Sequence, residues 1–177
     1  MSFGFVLSAS GDPLYTQLAR RVVEDIRELM PDAGIAVFTD CKAAFPDVRA
    51  FGTTHSSGRP FLSKIDACVN SPFEKSVYLD SDSRLIRSVE ELFELLDFCV
   101  IAMAFSEGRE FQAADRWHPG KSGLPLSSST IAFRPERVRD LMSGWRDDYI
   151  KGERFPNRGD QMYLARLALI DTSVRFV

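Results

Sequence analysis

The sequence predicts an α/β protein with a doubly wound, mainly parallel sheet and helices on both faces. Two observations carry this. The chain opens strand–helix–strand, with an apolar run at residues 3–7, an amphipathic stretch at 13–30 and a second apolar run at 35–38. Its strand-like runs are also nearly continuous in apolar residues, the pattern of strands covered on both sides.

The elements follow in order. Residues 3–7 read as a buried first strand. Asp12 offers a helix N-cap and Pro13 the first helical position. Leu14, Leu18, Val22, Ile26, Leu29 and Met30 recur at spacings of four and three, one face of a helix that Pro31 stops. Residues 35–38 form a second strand closing on Thr39-Asp40. Residues 41–60, rich in Gly, Pro, Ser and Thr, read as loop. Phe61, Ile65, Cys68 and Val69 predict a short helix, and residues 77–79 a third strand. Ser88 and Glu91 have capping-box spacing before Val89, Leu92, Phe93 and Leu96. Residues 98–105 predict a fourth strand covered on both faces. Residues 106–126 are a polar segment holding Gly108, Gly120, Gly123, Trp117 and His118, and a loop this long is a candidate lid. Residues 130–133 predict a fifth strand, and Pro135 a helix start with Val138, Leu141, Met142, Trp145 and Tyr149 on one face. A linker at 151–158, a helix from Gly159-Asp160-Gln161 through Leu169 and a strand at 174–177 complete the reading.

At 177 residues the chain is expected to form one domain, 1–177, with 45% hydrophobic residues to supply its core. A net charge of −3 with no basic block argues against nucleic acid as main partner. Cys41, Cys68 and Cys99 are scattered, match no zinc or redox pattern, and with no secretory signal in residues 1–10 point to a reducing, cytoplasmic setting. Cys68 and Cys99 are expected to be core thiols. The most apolar stretch, 92–105, carries Glu94 and Asp97 and is too short to span a bilayer.

The chemistry concentrates at residues 76–82, Ser-Val-Tyr-Leu-Asp-Ser-Asp. Positions two apart on a strand share a face, so an extended chain past Leu79 aims Asp80 and Asp82 the same way, beyond the carboxyl end of a buried strand. Open α/β sheets bind ligands there. Two neighbouring carboxylates repel unless a cation lies between them, and Mn²⁺ or Mg²⁺ suits such oxygens while keeping positions for substrate phosphate. The same residues are also turn formers, since Asp and Ser side chains bond nearby amides.

Tyr-Leu-Asp-Ser-Asp-Ser-Arg-Leu-Ile at 78–86 resembles the Asp-x-Asp motif of GT-A fold glycosyltransferases, especially the glycogenin-like and galactosyltransferase-like group. Residues 61–66 look like the family's Lys-bearing helix, 126–134 like its Asn-(Ser/Thr)-Gly strand, and Gly159-Asp160-Gln161 like its Gly-Asp-Gln helix start, in the same order. The resemblance implies a Rossmann-like fold and transfer of sugar from a nucleotide-diphosphate donor, a UDP- or GDP-sugar, to an acceptor it does not name. It implies Asp80 and Asp82 as ligands of Mn²⁺ or Mg²⁺, with Asp80 also beside the donor, and Lys64 as a point charge on the diphosphate. Ser8, Ala9 and Ser10, ending the first strand, would meet base and ribose. Asp40, ending the second, stands where acidic residues meet ribose, and Tyr15 would stack on the base. Ser127 would bond a sugar hydroxyl. Asp160, the candidate catalytic residue, and Gln161 would contact donor sugar or acceptor.

The chain departs from the pattern in two places. Ser127 and Ser129 replace the family's Asn and Gly, and no His follows the Asp-Gln pair, since His55 and His118 lie upstream. These departures leave an alternative: a degenerate domain of the same fold that binds a nucleotide or a protein partner without turnover. A haloacid-dehalogenase-like phosphatase also uses Asp-x-Asp after a strand, but Arg84 and the central position of the motif oppose it.

Overall fold

The computed structural model describes residues 2–53, 59–105, 126–151 and 164. Along them run β1 (Phe3–Ala9), α1 (Pro13–Leu29), β2 (Gly34–Thr39), a 3-10 turn (Lys42–Ala44), β3 (Arg49–Gly52), α2 (Leu62–Val69), β4 (Lys75–Leu79), α3 (Glu90–Leu95), β5 (Ile101–Phe105), β6 (Leu126–Phe133) and α4 (Arg139–Lys151). One six-stranded sheet has the order β3-β2-β1-β4-β6-β5. Neighbours from β3 to β4 are parallel, and β6 runs antiparallel to both β4 and β5. This is a Rossmann-like, mainly parallel sheet with helices on both faces.

Alternation in the central strands divides the core in two. Phe5, Leu7, Val77 and Leu79 point to the side of α1 and α3, where Val22, Ile26, Phe93 and Leu96 cover them. Val6, Phe38, Tyr78 and Ile131 point to the opposite side, under Ile65 and Cys68 of α2 and Met142 and Trp145 of α4. Each central strand is buried on both faces, which is why its sequence reads as one apolar run. Leu164 is also fully buried. Gly4 of β1 and Gly34 of β2 are register partners, and the Phe73 ring lies across both. A Cβ at either glycine would strike that ring, so the pair is required by close approach.

Helix α1 starts as its sequence predicts: Asp12 accepts a bond from Leu14 N at 2.8 Å with Pro13 in the first turn. It ends at Met30, whose ψ of 63° takes it out of the helical region ahead of Pro31.

Several expectations need correction. The 41–60 segment is not all loop: Arg49–Gly52 pairs with β2, held by Phe51 stacked on Phe38 at 4.9 Å, a tertiary contact that local composition does not reveal. The Ser88–Glu91 capping box is not formed; Val89 caps the short α3 and no side chain bonds its amides. The fourth strand begins at Ile101, not 98. Phe98 is 88% exposed and its N bonds Leu95 O in the turn after α3, so the chain joins the sheet only from Ile101, where Ile101 and Ala102 face the two core clusters. The fifth strand is longer than expected, beginning at Leu126 and running opposite to the rest. Pro135 lies in the turn before α4, where Arg137 N and Val138 N both bond Arg134 O. The polar segment at 106–125, the linker and last helix beyond 151, apart from Leu164, and the strand at 174–177 lie outside the described residues. No helix among those described is long and apolar enough to cross a membrane.

Candidate functional site

A cleft of about 220 Å³ opens at the carboxyl ends of β1 and β4, lined among others by Ser8, Ser10, Tyr15, Phe61, Lys64 and Asp82. Parallel strands place their last residues side by side: Leu7 of β1 is the register partner of Leu79 of β4. Ser8, Ser10, Asp80 and Asp82 are thereby delivered to one edge of the sheet, where loops rather than neighbouring strands take over the chain.

Lys64 is the centre of the site. It lies in the first turn of α2, three and four residues before Ala67 and Cys68, and so on the apolar face of that helix. It is only 6% exposed. A buried ammonium needs partners, and Lys64 has them: its Nζ lies 3.0 Å from Asp80 Oδ1 and 3.3 Å from Oδ2, donates to Ser128 Oγ at 3.0 Å, and packs 5.3 Å from the centre of the Tyr78 ring. Tyr78 Oη donates to Asp80 Oδ1 at 3.0 Å. Tyr78 and Asp80 are two residues apart and share a face, so the strand's pleat makes this bond possible. Lys64, Tyr78, Asp80 and Ser128 form one hydrogen-bonded group.

The other lining residues are less engaged. Ser8 and Ser63 share a hydroxyl–hydroxyl bond of 2.9 Å. Ser10 is 7% exposed and its Oγ is buried with no hydrogen-bond partner among the described residues. A buried hydroxyl without a partner costs free energy in the free protein, which a ligand group can recover. Asp82 is exposed, and among the described residues its carboxylate makes no hydrogen bond or ion pair. Tyr15 and Phe61, 47% and 41% exposed, supply the apolar walls.

Asp80 and Asp82 are the residues that could hold a divalent cation, and carboxylate and hydroxyl oxygens are a hard donor set that fits Mn²⁺ or Mg²⁺. No cluster of three or more His, Cys, Asp or Glu side chains converges among the described residues.

Of the residues that sequence reasoning singled out, the structure brings Ser8, Ser10, Tyr15, Lys64, Asp80 and Asp82 to this cleft. Ala9 points away, into the core beneath α1. Asp40 lies outside the lining and accepts a 2.8 Å bond from Gly11 N, bracing the turn between β1 and α1 where Gly11 has a φ of 88°. Ser127 pairs with Ser129 through their hydroxyls at 2.8 Å. Asp160 and Gln161 lie outside the described residues.

Ser128, Ser63 and Tyr78 were not assigned a role. Regular alternation back from the buried Ile131 would point Ser128 to the opposite side of the sheet. The β5–β6 register shifts between Met103 and Phe105, however, and irregularity of this kind re-aims side chains. Lys64 did carry a signal: a lysine on the apolar stripe of its helix.

In fold the chain is similar to the apo-form glycosyltransferase GlyE of Streptococcus pneumoniae TIGR4, with a TM-score of 0.64 and 16% identity. The alignment covers 100% of this chain and 45% of that one, so the chain spans less than half of its neighbour's length. No family model and no curated protein matches the sequence. At this identity the likeness establishes the fold alone.

Proposed function

We propose that the chain is a glycosyltransferase domain whose cleft binds a nucleotide-diphosphate sugar and presents it for transfer to an acceptor. The observation that carries this reading is the buried Lys64 ammonium beside Asp80, in a cleft that also holds the Asp82 carboxylate and the Ser10 hydroxyl, neither of them bonded among the described residues. A fixed positive charge, two carboxylates and a spare hydroxyl at a sheet's carboxyl edge suit a diphosphate that arrives with a cation. The glycosyltransferase fold supports the same reading.

Asp80 and Asp82 would hold Mn²⁺ or Mg²⁺. Such a cation supplies neutralisation of the charge that develops on the departing nucleoside diphosphate. Lys64 adds a second positive charge from the protein itself. Its contacts with Asp80, Ser128 and Tyr78 fix its position before donor arrives, so little reorganisation is needed. Tyr15 and Phe61 offer ring surface to the base, Ser8 and Ser10 offer hydroxyls to the ribose, and Asp160 and Gln161 are assigned to donor sugar or acceptor by family resemblance.

Calorimetry with UDP and with GDP, each with Mn²⁺ or with chelator, tests the reading. Metal-dependent binding is expected for one of them. Asp82→Asn should abolish the metal dependence while changing stability by no more than about 0.5 kcal/mol, since its side chain is exposed and makes no bond among the described residues. Equal affinity with and without metal in the wild type would remove the metal from the proposal.

A second reading, binding of a nucleotide without turnover, draws on one observation. Both Asp80 oxygens already have protein partners in Lys64 and Tyr78. Metal-independent nucleotide binding, with neither transfer nor donor hydrolysis, would select it.

A further inference from the structure

The segment that carries the motif aspartates is suspended between two anchors. At its start, Asp80 N bonds Ser129 O at 2.9 Å, and the Asp80 carboxylate meets Lys64 and Tyr78. A turn follows, closed by Ser83 N on Asp80 O at 3.0 Å. At its far end, Arg84 grips Asp25 of α1 with both arms of its guanidinium, Nε to Oδ2 at 2.6 Å and Nη2 to Oδ1 at 2.9 Å. Leu85 N donates to the same Oδ2 at 3.2 Å, and the Leu85 side chain is buried in the core beside α1. One carboxylate thus accepts three N–H bonds from two consecutive residues.

Asp25 is built for this task. Its side chain is 12% exposed, whereas that of Arg84 is 61% exposed. Hydrogen bonding from Arg84 holds the Asp25 carboxyl below its ordinary value against the opposing effect of burial, so it stays charged at neutral pH. A bidentate Arg–carboxylate pair fixes direction as well as distance. Between the anchors lies Asp82, which bonds nothing among the described residues. Its position is therefore inherited from its neighbours.

We infer that Asp25 is a positioning residue: through Arg84 and Leu85 it holds the far end of the motif loop and so sets where Asp82 stands relative to Asp80. The inference rests on the donor reading of the cleft. Asp25 touches neither donor nor cation. Its effect is felt as the concentration of properly placed Asp82 carboxylate.

The test measures UDP and GDP affinity with Mn²⁺ and with chelator in wild type, Asp25→Ala and Arg84→Gln, and repeats Asp25→Ala in an Asp82→Asn background. Asp25→Ala and Arg84→Gln should each lower the metal-dependent affinity about tenfold, the scale of lost support to a metal ligand, and leave the affinity in chelator unchanged. In the Asp82→Asn background, Asp25→Ala should change nothing further, because the residue being positioned is gone. The doubly exchanged Asp25→Arg, Arg84→Asp protein should regain part of the loss. Hydrogen exchange of the free protein should show faster amides at 81–85 in Asp25→Ala, with α1 protected as in wild type. A wild type whose nucleotide affinity ignores Mn²⁺ overturns the donor reading and this inference with it. A metal-dependent wild type whose dependence survives both single changes overturns the inference alone. So does an equal loss of affinity with and without metal, the result of a merely structural clamp. Should Asp25→Ala fail to fold, Arg84→Gln decides by itself, because that side chain is largely in solvent.

Discussion

Strand β4 carries a lysine–aspartate pair at each end, and the two pairs are finished differently. At the amino end, Asp97 is shared by Lys75 Nζ at 2.8 Å and Arg134 Nη2 at 2.7 Å. Arg134 also donates to Leu96 O and, from its backbone N, to Val100 O. Lys75, Asp97 and Arg134 thus tie strand to linker, and the Asp97 side chain is about half exposed. At the carboxyl end, Lys64 is nearly sealed, its partner Asp80 is 29% exposed, and beside them lie a hydroxyl and a carboxylate that bond nothing among the described residues. The same ion pair serves as a fastener at one end and as part of an open site at the other. Closure of the surrounding bonds, rather than the pair itself, separates the two roles.

The largest difference should appear when each lysine is removed. Lys64→Ala strands a partly buried carboxylate and should cost about 3 kcal/mol, read from the urea midpoint. Lys75→Ala leaves Asp97 with Arg134 and with water, and should cost less than about 1 kcal/mol. Equal costs would break the comparison.

Ser10→Ala sharpens it from the other side. Removing a buried hydroxyl that bonds nothing among the described residues should stabilise the free protein by up to about 1 kcal/mol, while reducing the rise in melting temperature that nucleotide and Mn²⁺ give. A destabilised free variant would mean that the hydroxyl is used within the fold.

The smallest effect is in acid. Lys75 first, and then Arg134, hold the Asp97 carboxyl below its ordinary value of 3.8. A carboxyl depressed on folding contributes stability at pH values above that ordinary value and loses it as pH falls through the folded one. Melting temperatures of wild type and Asp97→Asn should thus differ by a constant amount from neutrality to about pH 4 and converge below it. A gap that stays open in strong acid would show that charge is not what Asp97 supplies.

Much of the fold was legible because the governing signals are local. Asp12-Pro13 starts α1, Pro31 ends it, and apolar runs at 3–7 and 77–79 name the central strands. β3 was hidden because Phe51 is ordered by stacking on Phe38, a tertiary contact that the Gly/Pro pattern around it does not announce. The capping box failed because its spacing allows a bond that the backbone at Val89 does not present. In the cleft, Asp80 and Asp82 were readable from the strand end, while Lys64 came from the resemblance to a Lys-bearing helix. Ser128 was not, since a register shift in a reversed strand decides which of three consecutive serines meets the lysine. Asp25 was invisible for a related reason: its partner lies 59 residues along the chain, and each looked like an ordinary surface charge.

The outer wall of the cleft hangs on a distant helix. Phe61 N donates to Tyr149 Oη, Arg59 Nη1 donates to Tyr149 O, and the Phe61 and Tyr149 rings meet edge to face. Tyr149 itself is buried in the core against α2, near the last described turn of α4. The rim of the cleft is thereby pinned to the packing between α2 and α4, so a change in that packing would be felt at the cleft. Exchange of the Phe61 amide proton against deuterium would report on the pin.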